Sequence, residues 1–497
     1  MAWVILHWQR EIPSRYYVSF KKSFLITIVF NLVILGLDKG AGLIMYYILQ
    51  EHPEDKGVLD ILGQLPFVLM VIANLGLASS LVYYTRRKEV TIKTAGETTS
   101  FVALLWGSFV AILGLIGMAV WAWLQPDRLL PGWYLIVPLF FTTPLLLIIS
   151  YRNSVLLVMD RIRVYNIVHL IPSILYLPVL LLFFFVLDEG AAVSVVWARV
   201  LPIAILALWL VWYLRRDIPP KPAFDSDYFS KAIGFGWRAN INSVLSYLNH
   251  RLDIILLIGL FYVPTQAQIQ LFMESHPLTG TPEAPTTLFS ASAALVLREV
   301  AFYSLAVTLA ELIWHFPEAL RDLLFSRVAG SHPDEASEIT PLVCRNSLLM
   351  TSLGAVAIWF VHDPFFRLLS GSNWEGIWQA KVSGSLAVLL PGAVCYTIAK
   401  VLQADLAGRG HIGTCIFLVA SVFVIMVVGD GIFVPSGGAR AAAAVSTVSY
   451  GVASLLSLAV YKRESGLPLN VILIPRPSDF MHYKELVQDL LSRIRKK

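Results

Sequence analysis

Apolar residues along this chain come in long runs, parted by short breaks that are charged or rich in Pro and Gly. A run of about 20 residues matches the hydrocarbon thickness of a bilayer at the rise of an α-helix. Taking each run as one helix predicts about twelve spans. The first six cover 24–49, 58–84, 98–124, 133–158, 164–187 and 191–214. The second six cover 238–262, 299–320, 341–361, 382–406, 412–434 and 440–461. An even number of crossings places both termini on the same side.

Composition makes the same point. The 497 residues are 57% hydrophobic and 14% charged, with a mean hydropathy of +0.70, too apolar for an ordinary soluble protein. The chain reads as an all-α polytopic membrane protein, and no gap between runs is large enough for a globular domain. A net charge of +5 says little about partners, but the positions of the cations orient the spans. Arg86, Arg87, Lys88 and Lys93, then Arg161 and Arg163, then Arg215, Arg216, Lys221 and Lys231, then Arg321, Arg327 and Arg409, fall in alternate loops. The other loops are poorer, with Lys56, Arg128, Arg298, Arg367 and Arg440 beside Glu51, Glu54, Asp55, Asp188 and Glu189. The first set is expected to be cytoplasmic, with both termini. Arg10, Arg15, Lys21 and Lys22 precede a run too long for a cleaved signal, so the first span is expected to stay. Cys344, Cys395 and Cys415 lie in or beside apolar runs without metal-ligand spacing and read as core residues.

The expected organisation is a cytoplasmic segment 1–22, a six-helix bundle 23–216, a cytoplasmic linker 217–237, a second six-helix bundle 238–462 carrying an extracytoplasmic insertion at 263–297, and a basic tail 463–497. In the tail, Met481, Tyr483, Leu486, Val487, Leu490, Leu491 and Ile494 recur at helical spacing opposite Lys484, Arg493, Lys496 and Lys497. This predicts a helix on the inner leaflet or on the cytoplasmic face. A weak internal repeat supports two bundles. Asn31 aligns with Asn242 at an offset of 211, setting Asp38 and Lys39 against Asn249 and His250. Asp160 aligns with Gly408 at an offset of 248, setting Arg152 against Lys400. Six plus six spans in one orientation imply bundles related by a pseudo-twofold axis along the membrane normal.

Ionisable residues at bilayer depth are costly and point to function by default. Asp38 and Lys39 lie in the first span, Arg152 in the fourth, Arg199 in the sixth, His250, Arg251 and Asp253 in the seventh, Glu311 and His315 in the eighth, and Lys400 in the tenth. The set is net cationic. Lys39, Arg152, Arg199, His250, Arg251 and Lys400 are the candidate substrate-binding cations, with Asp38, Asp253 and Glu311 as counterions or coupling groups. Such a cavity fits an anionic headgroup, since a guanidinium binds two phosphate oxygens at once. Arg152 and Lys400 lie near enough to the cytoplasmic ends to snorkel instead. No Walker loop, metal cluster or nucleophile motif is present, so neither an enzyme nor a cofactor is expected.

The stretches Gly76–Tyr84, Leu248–Gly259, Tyr303–Trp314 and Lys400–Gly410 resemble bacterial polysaccharide biosynthesis proteins of the oligosaccharide flippase type. That family belongs to the superfamily that includes multidrug and toxin extruders and the peptidoglycan precursor flippase. The resemblance implies two six-helix bundles around a central cavity that alternates between inward-open and outward-open states. It also implies a substrate, an undecaprenyl-diphosphate-linked oligosaccharide carried to the periplasmic leaflet of a bacterial inner membrane for cell-surface polysaccharide biosynthesis. Membrane lipids, a glycan polymerase and glycosyltransferases of the same pathway are the expected partners, nucleic acid is not, and a monomer is expected. Two other functions stay open: an organic-cation or multidrug antiporter of the same fold, and a membrane-embedded glycan polymerase or glycosyltransferase. A carboxylate-rich cavity favours the first, and a catalytic base in a large outer loop the second.

Overall fold

A computed structural model describes residues 33–476, apart from 35, 39, 50–52, 125–131, 160, 189, 220, 222, 253–261, 276–287, 316, 318–323, 325–327, 329–332 and 371–375. Within these residues every element is helical. The described positions of 33–49 form α1. There follow α2 (Pro53–Ala73), α3 (Leu77–Arg86), α4 (Ile92–Leu124), α5 (Trp133–Phe140), α6 (Thr142–Val158), α7 (Ile162–Leu181) and α8 (Ala191–Tyr213). Then come α9 (Ser226–Leu252), α10 (Gln266–Ser275), α11 (Leu288–Glu311), α12 (Pro333–Ser370), α13 (Ile377–Gly408), α14 (Ile412–Ser465) and the short α15 (Leu469–Leu473).

Nine helices among the described residues are long and apolar enough to cross a membrane. The last, α14, has 54 residues, enough for two crossings, and breaks at Gly438, whose φ of 55° and ψ of −141° only glycine adopts readily. With α1 and α9 at the positions of the first and seventh expected spans, the chain is an all-α polytopic membrane protein. Large apolar side chains such as Leu105, Phe185, Leu208, Phe360 and Leu455 point outward. In a bilayer these surfaces meet hydrocarbon, which explains their exposure. The largest core lies among α11, α12, α13 and α14. Tyr46 of α1 enters it, meeting Phe366 and Trp378 edge-on at 5.1 and 4.9 Å. Two smaller cores fill α1–α9, one built on Leu77, Leu147 and Leu210, the other on Leu49, Leu62 and Val195.

Several boundaries differ from the sequence expectation. The linker expected at 217–237 is helical from Ser226, because Asp225 caps the helix: the Tyr228 N–H donates to its Oδ1 at 2.8 Å. The insertion expected at 263–297 contains α10 and the first turns of α11. Thr265 and Gln268 form a reciprocal capping box, the Thr265 N–H donating to Gln268 Oε1 at 2.8 Å and the Gln268 N–H to Thr265 Oγ1 at 3.3 Å. Ile269 and Phe272 then pack on Ala291 and Ala294 of α11. Lys56, expected in an outer loop, lies inside α2 and is 4% exposed. The tail helix expected over 481–494 lies outside the described residues.

One face is basic. Arg86 donates to the Leu157 carbonyl at 2.7 Å and Arg161 pairs with Asp217 at 3.1 Å, which gathers three of the cation-rich loops. Two turns in the chain share one conformation. After α6 the Arg161 N–H donates to Leu156 O at 2.9 Å, and after α13 the His411 N–H donates to Leu406 O at 2.9 Å. Both residues have φ near −80° and ψ near 50° and start the next helix. The turns therefore match Arg161 with His411, two residues beyond the sequence alignment, which had matched Arg161 with Arg409.

Helix α2 packs along its length on the C-terminal half of the chain, and glycines allow it. A Cβ on Gly57 would lie 2.0 Å from the Leu297 carbonyl oxygen. At the basic face a Cβ on Gly76, where φ is +72°, would lie 2.1 Å from the Gly236 carbonyl oxygen. Ser80 of α3 donates to the Ala232 carbonyl there at 2.7 Å. Gly57→Ala should lower stability by about 1–3 kcal/mol through overpacking. Gly117→Ala, where a side chain meets nothing within 4 Å, should be near neutral. Thermal unfolding of the purified variants in detergent reads the difference.

Candidate functional site

Two cavities flank α1 and α2. The larger, about 830 Å³, is enclosed by α1, α2, α6, α7 and α8. Its polar lining is Asp38, Gln64, Ser150, Asn153, His169 and Arg199, with Ser173 and Tyr176 beside them. The smaller, about 410 Å³, lies between α1 and α2 on one side and α11 and α12 on the other. Most of its wall is apolar, with Leu43, Leu305, Leu309, Leu312, Ile358 and Phe365. Gly42, Met45 and Gln64 line both, so these residues form the partition between a polar and an apolar compartment.

Each polar group is held by a neighbouring element. Arg199 reaches from α8 across Gly63 of α2, and its Nη1 donates to the Leu59 carbonyl at 3.1 Å. Gly63 is what admits it, since a Cβ there would sit 1.1 Å from that nitrogen. The Tyr176 hydroxyl hydrogen bonds Arg199 and donates to Met45 Sδ at 3.6 Å. The His169 Nδ1–H donates to the Tyr165 carbonyl at 2.9 Å, which leaves Nε2 as the atom able to take a proton. Tyr247 of α9 donates to Gln64 Oε1 at 3.2 Å, tying the partition to the C-terminal half. Asp38 is exposed on α1 and opens into this cavity.

The apolar cavity ends in a closed polar triad. Lys56 and Asp60, one turn apart on α2, pair at 2.5 Å, and Lys56 donates to Ser304 Oγ of α11 at 2.9 Å. The Ser304 hydroxyl also hydrogen bonds the same Asp60 oxygen. All three residues are under 9% exposed. A lone charge at this depth would cost several kcal/mol, so each ion holds the other in place. His362 on the far wall is engaged at both ring nitrogens. Its Nδ1–H donates to Trp359 O at 2.8 Å and its Nε2 accepts from Ser383 at 2.9 Å.

The candidate residues named from sequence are spread over several places. Asp38 and Arg199 share the polar cavity. Arg152 is 3% exposed and donates from Nη2 to Ser100 of α4 at 3.0 Å, lining neither cavity. Lys400 is buried on α13 with its Nζ 4.0 Å above the Trp314 ring and 5.6 Å from the Tyr396 ring, again outside both. Glu311 is half-buried and His315 exposed at the end of α11. Lys39 and Asp253 lie outside the described residues, as do the side chains of His250 and Arg251, whose backbone is helical in α9. Asn249 beside them donates to the Val419 carbonyl of α14 at 3.1 Å.

Sequence reasoning missed Lys56, Asp60, Gln64, His169 and Glu299. The i,i+4 spacing of Lys56 and Asp60 was the available signal. Glu299 binds Lys381 of α13 and accepts the Ala439 N–H at 3.1 Å, where α14 restarts after its break. A carboxylate at a helix N-terminus is favourably placed.

No protein-family profile matches the chain, and no curated protein matches it by sequence. Solved structures share its fold. A multidrug resistance transporter of the MATE family in the MOP superfamily, inward-facing, is 12% identical, matching 89% of this chain and 98% of its own at a TM-score of 0.63. The lipid II flippase MurJ in an inward closed conformation is 13% identical, matching 90% of this chain and 88% of its own at 0.66. A MOP superfamily transporter from Pyrococcus furiosus, described as having a binding pocket of reverse polarity, is 14% identical, matching 90% of this chain and 96% of its own at 0.56.

The triad yields a stability test. Asp60→Asn strands the Lys56 ammonium and should cost about 3–5 kcal/mol, while the double replacement of Lys56→Met with Asp60→Leu should cost much less. A double-mutant cycle on thermal unfolding measures the coupling.

Proposed function

We propose that this chain is a transporter that moves a polyprenyl-diphosphate-linked oligosaccharide, with undecaprenyl as the carrier, from the cytoplasmic to the periplasmic leaflet of a bacterial inner membrane. The observation that carries the reading is the pairing of a polar cavity holding Arg199 with an apolar one, parted only by Gly42, Met45 and Gln64. A charged headgroup and a hydrocarbon tail need such a pair. The shared fold with a lipid II flippase and with multidrug transporters supports transport and leaves the cargo to the site. In this reading Arg199 and His169 meet the diphosphate, Lys39, His250 and Arg251 are further cations of the first and seventh spans, and the sugar crosses in water.

Alternating access in this reading sets bundle 23–216 against bundle 238–462. The contacts of α2 and α3 are the places where it acts. At one end Gly57 meets Leu297 and the Lys56–Asp60 pair meets Ser304; at the basic face Gly76 meets Gly236 and Ser80 meets Ala232. One set opens while the other holds. A second reading, an organic-cation antiporter, rests on Asp38, the carboxylate in the polar cavity.

Arg199→Gln, made in a strain lacking the native gene, should lower surface glycan export at least about tenfold, the cost of one charge-assisted contact. Lipid-linked repeat units should then accumulate facing the cytoplasm. Normal export at normal protein level rejects the assignment. Asp38→Asn separates the readings: it abolishes proton-driven efflux of organic cations if the antiporter reading holds and leaves glycan export in place if the flippase reading holds.

A further inference from the structure

The smaller cavity has features that the transport of a headgroup does not need. Its two ionic side chains neutralise each other and share Ser304, and His362 has both ring nitrogens engaged. Its one cation is thus already paired with a carboxylate, and the rest of the wall is mostly apolar. It opens on the lipid-facing surface of α12, where Val361 is 57% and Phe365 is 39% exposed. Its inner end adjoins the polar cavity at Gly42, Met45 and Gln64. A ligand that fills both compartments must be polar at one end and hydrocarbon at the other.

We infer that this slot, walled by Leu43, Leu305, Leu309, Leu312 and Phe365, binds the head-proximal part of the substrate's polyprenyl tail while the diphosphate lies in the polar cavity. The inference rests on the flippase reading and extends it by placing the tail between α1 and α12. A cavity of about 410 Å³ holds a short stretch of hydrocarbon, and the rest of a polyprenyl chain leaves past Val361 and Phe365 into lipid. Continuity with the polar cavity selects the substrate's own tail over a phospholipid acyl chain, whose headgroup would have to lie at the membrane surface.

The test is photocrosslinking of the full chain in vesicles of phosphatidylethanolamine and phosphatidylglycerol containing undecaprenyl diphosphate. Thr308, which faces the slot, is replaced as Thr308→p-benzoylphenylalanine. Polyprenyl adducts, identified by mass spectrometry, are expected; phospholipid adducts alone, or none, overturn the inference. Independently, Leu309→Trp fills the slot and should weaken undecaprenyl diphosphate binding by about tenfold or more, since each methylene kept out of the slot forfeits its burial. Inorganic diphosphate binding should be unchanged, and Leu105→Trp, on the lipid-facing side of α4 and 60% exposed, should change neither. Undiminished long-chain binding in Leu309→Trp, or equal loss of both ligands, overturns the inference. The flippase reading fails separately, when normal export in Arg199→Gln accompanies polyprenyl adducts.

Discussion

Two opposite charges buried one turn apart on α2, closed by a serine from α11, are the interaction on which the rest of this structure leans. Burying either charge alone at that depth would be costly. Together they form a compact neutral pair, and Ser304 bridges it, accepting from Lys56 and donating to Asp60. The triad fixes the angle at which α2 meets α11, and Gly57 lets the backbones come close enough for the hydroxyl to reach. The smaller cavity lies against that crossing, lined by Lys56, Asp60 and Ser304. Arg199 threads past Gly63 on the other side of α2, and Gln64 lies between the two.

Similar economy appears at other buried charges among the described residues. Lys400 rests on the face of Trp314, whose indole N–H is itself bonded to the Ala393 carbonyl at 2.8 Å. Asp405 binds Arg409 at 2.6 Å and accepts from Thr340 at 2.7 Å, closing α13 onto α12 at the basic face. Glu299 joins α11, α13 and the restart of α14. A bilayer offers no water to rescue a group left without a partner, so charge is used here as a joint between helices. The two cavities described lie beside α1 and α2, and α2 also packs on the C-terminal half.

Much of the fold was legible because long apolar runs have few alternatives in lipid. The runs at 133–158, 191–214 and 382–406 reappear as helices within a few residues, apart from α13, which is longer at its first end, and those at 412–434 and 440–461 are joined in α14 across its break at Gly438. Errors arose where short-range chemistry overruled the run. Asp225 starts α9 early and Thr265 starts α10 inside an expected loop, because a cap needs one side chain and no hydrophobicity. The alignment that set Arg152 against Lys400 is not carried by the turns, which match Arg161 with His411 at an offset two residues larger and so set Arg152 against Leu402, since leucine-rich helices align almost equally well at several offsets.

By itself the sequence determined the class and the short roll of ionisable residues that a membrane must accommodate, because hydrophobicity and charge are local properties of residues. Only the tertiary structure decided which of those charges meet a cavity and which are consumed in packing. Arg199 and Asp38 share one cavity, while Arg152 and Lys400, equally cationic and similarly deep, are spent on Ser100 and Trp314. The difference lies in what stands across the helix interface, a glycine at 63 in one case and a serine or an indole in the others. No property of the cationic residue itself records its opposite neighbour.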